Sequence, residues 1–386
     1  MLDRRTFIKS SSLAIAGTAI SVKSISAKEA AKPAFAMEWR NKQSDMSYRQ
    51  LGRTGFMVSE FVNGGDPVST KNTHPAEVAI ERGLNYLDMA PAYGSGECEK
   101  GYAKIIDSSS KREKVFMTTK ISSFTGVRNR LYREIYDGLP QGKKEAILKK
   151  AASMREERGV DIPGYYLTYW PGQNRSMDPS YLSNAMMQDY AHLVDGSQAF
   201  KNNIRDSVQG SLQRTGQKYF DILMCPHGAN CPEEVHIPEI YETLEGLKKE
   251  GLVRFLGVST HNDPAGVLRA ATSIGKYDVV MCAYNVINGG YMHDAIRSAK
   301  TAGVGIIGMK VAMAVATQHE ALKPLPQWRI DMVNQIVPGE MKPPVKAYLW
   351  ALQNPNISAV ISNLWNEEFV NENLSIAGKK VNLLPG

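Results

Sequence analysis

The stretch Tyr86-Leu87-Asp88-Met89-Ala90-Pro91-Ala92-Tyr93-Gly94 starts as an apolar run, reaches an acid, and turns through a proline and a glycine. A short apolar run closed by turn residues reads as a buried strand. The same format returns in Met117-Thr118-Thr119-Lys120 and in Met224-Cys225-Pro226-His227-Gly228. Working outward, β-rich runs are predicted at 56–63, 85–88, 115–119, 220–225, 253–259, 278–283, 305–309 and 357–361. Helical patterns at 98–106, 200–215, 237–250, 264–274, 292–302 and 343–353 separate most of them. Strands alternating with helices give an α/β fold with a parallel sheet, and eight strands close a (β/α)8 TIM barrel. A doubly wound sheet is the rival. Its GxGxxG fingerprint is missing, because Gly64-Gly65-Asp66 lacks the third glycine and leads into no clear helix.

The chain has 386 residues, of which 43% are hydrophobic and 22% charged. That composition excludes a disordered chain, a collagen-like fibre and a polytopic membrane protein. The formal charge of +7 is spread along the chain, so no basic stripe marks a nucleic-acid partner. Four cysteines without a CxxC make neither a small disulfide scaffold nor an iron–sulfur module. Cys225 and Cys231, six residues apart, match no common zinc spacing, and no metal is expected. If the protein is exported, these two cysteines have two open fates, a disulfide or reduced burial.

Residues 1–27 read as an address. Arg4-Arg5-Thr6-Phe7-Ile8-Lys9 precedes a weakly apolar run from Ser10 to Val22, then Lys23 and the small residues Ser24, Ser26 and Ala27. The run is too short for a membrane span and resembles a twin-arginine-type signal peptide. The resemblance implies bacterial export, with the twin-arginine machinery as a partner and the periplasm as a destination. It also implies cleavage after Ala27 or Ala36 and no stable membrane span afterwards. Residues 28–46 read as a linker and 47–386 as the barrel. Within it, 121–199 stands apart as an ordered insertion after the third predicted strand. Its aromatic residues, Tyr169 and Trp170 among them, are too many for a disordered linker, and 143–158 reads as a charged surface helix. Starting right after Lys120, the insertion is a candidate lid or substrate platform over the barrel mouth; the alternative is a peripheral decoration.

Asp88, Tyr93, Lys120 and His227 end three adjacent predicted strands, and barrel chemistry gathers at such ends. This ordered set resembles the tetrad of the aldo-keto reductase family. Tyr48-Arg49-Gln50-Leu51-Gly52-Arg53-Thr54-Gly55 is similar to the family's N-terminal hairpin. Arg254-Phe255-Leu256-Gly257-Val258-Ser259 and the pair Glu372-Asn373 match further family positions. The resemblance implies hydride transfer between NADP or NAD and a small-molecule carbonyl or alcohol. Chemically, a tyrosine beside a lysine cation can exchange a proton with the substrate oxygen. Asp88 can hold Lys120 charged, and His227 can donate a second hydrogen bond to that oxygen.

The cofactor positions that the resemblance implies are less faithful. Ser259 is followed by Thr260 instead of Asn, Met281 stands where a Gln is usual, and Met309 stands where an aromatic stacks on the nicotinamide. Ser362-Asn363 replaces Pro-Gly at the last strand, and Glu367 and Glu368 open the next helix. Lys310 is the nearest candidate cation for a phosphate, so the choice between NADP and NAD stays open. The Gly-Met-Lys ending at 308–310 resembles a divergent branch of the family.

The leading expectation is an exported oxidoreductase acting on a carbonyl or alcohol, with a sugar or aromatic as the candidate substrate, and with a cofactor loaded before export and retained. Two other readings are carried: a cofactor-less barrel acting as a periplasmic hydrolase, with Asp88 and Glu97 as its acid–base pair, or a binding protein that uses the aromatic insertion.

Overall fold

A computed structural model describes residues 36–194 and 196–385. The signal-peptide reading of 1–27 lies outside the described residues. Among the described residues there are eleven strands: β1 (Glu38–Trp39), β2 (Tyr48–Gln50), β3 (Phe56–Ser59), β4 (Phe61–Gly64), β5 (Tyr86–Asp88), β6 (Phe116–Lys120), β7 (Phe220–Met224), β8 (Val253–Thr260), β9 (Val279–Ala283), β10 (Gly305–Met309) and β11 (Ala359–Ser362). Strands β4 to β11 run parallel and close in chain order, with β11 returning to β4 through Ile361 beside Val62. The expected eight-stranded barrel is therefore the architecture.

The first predicted strand, 56–63, is two strands. β3 pairs antiparallel with β2 and parallel with β1 in a small separate sheet, while β4 enters the barrel. The break falls at Glu60, whose carboxylate is buried against Arg49 and accepts from the Gly378 N–H. A charge that must meet those two partners cannot continue the apolar alternation of one strand. β1 lies in the stretch that reads as a linker, and Met46 of the same stretch is buried.

The small sheet plugs the N-terminal end of the barrel. Phe56 stacks on Phe116 with ring centroids 4.2 Å apart and meets Phe255 edge-on at 5.1 Å. Above these rings the interior is filled by Tyr86, Ile222, Met224, Met281, Ile307 and Met309, so the barrel is a packed core and not a pore. Asp221, fully buried at that end, gathers Arg40, Arg112 and Arg254. That end of the barrel is thus filled by packed rings and paired charges.

Local signals set the surrounding helices. In Pro264–Ile274, Asp263 caps the N-terminus by accepting from the Gly266 N–H at 2.9 Å, Pro264 supplies the first turn, and Gly275 ends it with φ +70°. Between β6 and the helix Gly196–Thr215, which leads into β7, the described residues form three further α-helices: Phe124–Asp137, Gln141–Glu157 and Met177–Tyr190. The second of these is the predicted charged helix, and only Ile147 and Ala151 of it are buried. The segment binds the loops after β7, β8 and β9. Thr125 donates to Glu234, Gln173 to Asn262, Tyr165 to Asp263, and Asn285 to the Tyr169 hydroxyl. All these partners follow strand C-termini, so the 121–199 segment packs on the same end of the barrel as the predicted site.

Candidate active site

Three strand ends bring the four predicted residues together. β5 ends on Asp88, β6 on Lys120, and His227 follows β7 after the turn through Pro226. Tyr93 arrives on the turn Tyr93–Gly96, where Ser95 and Gly94 both take positive φ. Gly65 lets this turn pack closely, since a Cβ there would stand 2.4 Å from the Asp88 carbonyl oxygen and 2.5 Å from the Cys98 Sγ. β6 is fixed from behind by Glu99, which accepts from Thr119 at 3.0 Å and pairs with Arg214 at 2.5 Å.

Lys120 Nζ donates to Asp88 Oδ2 at 2.6 Å and to the Tyr93 hydroxyl at 2.6 Å. The His227 ring stands edge-on to Tyr93, centroids 5.8 Å apart, and its Nδ1 is bonded to Ser122 Oγ at 2.8 Å. Asp88 and Lys120 are almost fully buried, while Tyr93 and His227 are half-buried and face the mouth. Burial pulls the Lys120 ammonium toward neutrality, but Asp88 and then Tyr93 outweigh it and hold the lysine charged. Burial raises the Tyr93 phenol above its ordinary value against the opposing field of Lys120, so at neutral pH it is a protonated donor. Burial first, then the Lys120 and Lys310 charges, keep the His227 imidazole well below its ordinary value and therefore neutral. A neutral imidazole bound at Nδ1 by a hydroxyl can present its other nitrogen to a ligand as a donor.

The residues expected at the cofactor are distributed unevenly. Ser259 Oγ accepts from the Gly228 N–H at 2.9 Å, and Thr260 Oγ1 donates to the Ala229 carbonyl at 2.8 Å. Both belong to the barrel wall. Met281 is fully enclosed in the barrel interior, and Met309 lies at the top of the same core. Ser362 and Asn373 are bonded to one another at 2.8 Å, and Asn363 reaches toward Asp66. Glu372 turns outward to Lys342, which also holds Glu368, while Glu367 faces His74. Lys310 meets the two insertion aromatics: its Nζ lies 5.4 Å from the Trp170 ring centroid and 6.0 Å from that of Tyr169.

A nicotinamide nucleotide fits what remains open. Asp88 Oδ1, beside Lys120 in the mouth, is a buried acceptor without a donor among the described residues. Buried orphan acceptors call for a hydroxyl-bearing partner, and the ribose of such a nucleotide carries hydroxyl donors.

Ser122, His261 and Asp66 belong to the site and were not among the predicted residues. His261 directly follows β8 and Ser122 lies two residues past the end of β6, which is the positional signal that could have found them. His261 meets Trp170 edge-on at 4.9 Å. The hydrolase pair has no structural counterpart. Glu97 is bonded to Thr70 and Lys100 at the surface, and Asp88 is bonded to Lys120. The four cysteines are free and buried, and among the described residues no cluster of His, Cys, Asp or Glu could hold a metal ion. Among the same residues no helix is long and apolar enough to cross a membrane.

Comparison with known proteins adds to the geometry. The chain is 26% identical over 278 residues to an aldo-keto reductase of Fusarium vanettenii, an alignment covering 68% of this chain and 63% of the relative. It is also 26% identical over 218 residues to the NADH-specific methylglyoxal reductase of Escherichia coli, covering 49% of this chain and 64% of that protein. The chain thus spans somewhat less than two thirds of these relatives' lengths. Its fold is similar to that of an aldo-keto reductase from Bacillus halodurans in its holo form, at TM-score 0.56 and 19% identity, covering 88% of this chain and 93% of that one. The sequence model described as the Aldo/keto reductase family matches residues 64–189 and 189–382, and the chain belongs to that family.

Proposed function

We propose that this protein is an exported oxidoreductase that transfers hydride between NADP or NAD and a small-molecule carbonyl or alcohol. The observation that carries the reading is the Lys120 ammonium bonded at 2.6 Å to both Asp88 and the Tyr93 hydroxyl, with the His227 ring across from it. Membership of an oxidoreductase family supports the class of chemistry. When bound, the nicotinamide nucleotide supplies or accepts the hydride.

The chain's residues handle the proton and the developing charge. In the reducing direction, oxygen gains negative charge as the carbonyl carbon gains hydride. Tyr93 gives its phenolic proton to that oxygen. The phenolate left behind is stabilised by Lys120, which donates to it at 2.6 Å in the resting state. Asp88 keeps Lys120 charged and fixes the ammonium in place. His227, neutral and oriented through Ser122, donates to the same oxygen. Oxidation of an alcohol reverses each step. Ser362, Asn363 and Asn373 are the polar groups proposed to line the nucleotide.

The insertion 121–199 is proposed to act as a lid, because it binds the loops after β7, β8 and β9 and puts Tyr169 and Trp170 beside Lys310. Export is supported by the Arg4-Arg5 motif and the segment behind it. Free nicotinamide nucleotides are scarce outside the cytoplasm, so the cofactor is proposed to be loaded before export, retained, and recycled by a second substrate.

The test is hydride exchange with both nucleotides against a panel of aldehydes. Tyr93→Phe should lower kcat by about 10²–10⁴-fold while nucleotide binding persists. A variant as active as the parent would refute the assignment. Replacing Arg4 and Arg5 by Lys should leave the protein in the cytoplasm, and nucleotide released by acid from exported protein should be NAD or NADP. Export that survives the replacement, or a reproducible lack of nucleotide, would refute those parts of the reading.

A further inference from the structure

Lys310 follows the end of β10 at φ +59°, a left-handed conformation that costs a non-glycine residue about 1 kcal/mol or more. This backbone delivers an ammonium into the barrel mouth. Among the described residues it has no hydrogen bond and no ion pair. The nearby acid, Asp66, accepts from Gln318 at 3.0 Å and from Asn363 at 3.5 Å, and feels Lys310 only at a distance. Asp88 is already bonded to Lys120 at 2.6 Å. Within the mouth, then, Lys120 is neutralised and Lys310 is not, which leaves one uncompensated positive charge. A cation mostly withdrawn from water and unpaired is costly, and a bound anion is the ordinary compensation.

The surroundings say where that anion would lie. Lys310 directly follows the C-terminal end of β10, at the same rim as Lys120 and His227, and its charge acts on Lys120, Asp88, His227 and His261 together, so it lies on the reacting side of the mouth. Its other neighbours are the Trp170 and Tyr169 rings from the insertion. The wall is held in place: Asn285 donates to the Tyr169 hydroxyl at 2.9 Å, Gln173 accepts from the Tyr169 N–H at 2.7 Å, and His261 stands edge-on to Trp170. An oxyanion at Lys310 would have the flat body of a ligand against the half-buried Trp170 ring, with Tyr169 buried behind it as support, and its other end toward Tyr93 and His227.

Resting on the hydride-transfer reading above, we infer that the substrate carries a carboxylate as well as its carbonyl or alcohol. Lys310 holds the carboxylate and the Trp170 ring, backed by the buried Tyr169, packs the body between the two groups. The substrate class is thus an oxo- or hydroxy-acid with a ring or planar body, such as a sugar acid or an aryl aldehyde acid. The same cation could instead serve an oxyanion of the nucleotide, and the experiment separates the two.

The probes are 4-carboxybenzaldehyde and its methyl ester, with nucleotide affinity measured alongside by fluorescence. The parent should prefer the acid by about 10-fold or more in kcat/KM, as expected for a charge-assisted contact. Lys310→Met should abolish the preference, and Lys310→Arg should retain most of it. A parent without preference, or a preference that survives in Lys310→Met, would overturn the inference. So would a loss in Lys310→Met that falls equally on both aldehydes and follows nucleotide affinity, which would assign the cation to the nucleotide. If neither aldehyde is turned over, the hydride-transfer reading fails on these probes, yet calorimetric binding of benzoate still decides the matter. Benzoate should bind the parent and Tyr93→Phe and be lost in Lys310→Met; equal binding to all three, or none to the parent, refutes the role of Lys310.

Discussion

If Lys310 is an uncompensated cation kept for a ligand, removing it should make the empty protein more stable. Burial pulls the ammonium from its ordinary value of 10.5 to about 8, against a partial counter-field from Asp66. By proton linkage that displacement corresponds to about 3 kcal/mol of folding stability forgone while the group is charged. The Trp170 and Tyr169 contacts at 5.4 and 6.0 Å return about 0.5–1 kcal/mol each. Lys310→Met keeps the unbranched stem and the same backbone strain, so at pH 7 it should be more stable than the parent by about 1–2 kcal/mol. The sign with pH is fixed. Between about pH 8 and 10.5 the unfolded chain still binds the Lys310 proton and the folded one has released it, so the parent gains stability as pH rises through that window. The variant lacks this gain. The other groups facing Lys310 — Asp66, Asp88, Lys120, His227, His261 and Tyr169 — are common to both proteins and largely cancel in the difference. Urea unfolding of both proteins at pH 7 and at about pH 9.5, without ligand, reads the gap and its narrowing. A variant less stable than the parent at pH 7, or a gap unchanged between the two pH values, would refute the account of Lys310 as an unpaid charge.

Three other outcomes follow from the same geometry. Asp88→Asn leaves the buried Lys120 ammonium without a counter-charge and should cost about 3–5 kcal/mol, read as a lower denaturant midpoint. His227→Gln should lower kcat by about 10²–10³-fold. Because the imidazole of the parent stays neutral until pH falls well below 6.5, kcat from this group should be flat between pH 6 and 8. Glu368→Lys removes one of the two carboxylates that share Lys342 and places a cation in the first turn of Glu367–Leu374; a shift toward NADPH in the ratio of the two nucleotides' kcat/KM is expected, and an unchanged ratio would mean that this turn faces away from the phosphate.

The strand-end residues were legible in the sequence because short apolar runs capped by polar residues advertise both the strand and the end at which it finishes. Alternation with helices was enough for a closed eight-stranded barrel, and Asp88, Tyr93, Lys120 and His227 needed only chain order to be grouped. Glu60 hid the break between β3 and β4, because one charged residue between apolar runs looks like a strand's polar face until Arg49 and the Gly378 N–H are seen around it. Glu372 shows the opposite error. Adjacent in sequence to Asn373, it points to solvent and Lys342, since neighbouring residues on a helix do not share a face.

What the sequence determined by itself is the periodic part: the run of apolar strands, the helix caps, and the polar residues that must lie at strand ends. What only the tertiary structure decided is which charges meet. Lys120 acquires Asp88 and Tyr93 at 2.6 Å, whereas Lys310, a similar residue at a similar strand end, acquires no anion and two aromatic rings from a segment more than a hundred residues away. The physical reason is that strand and helix formation are governed by local periodicity. The pairing of buried charges depends on distances across the barrel mouth, and those exist only once the chain has closed on itself.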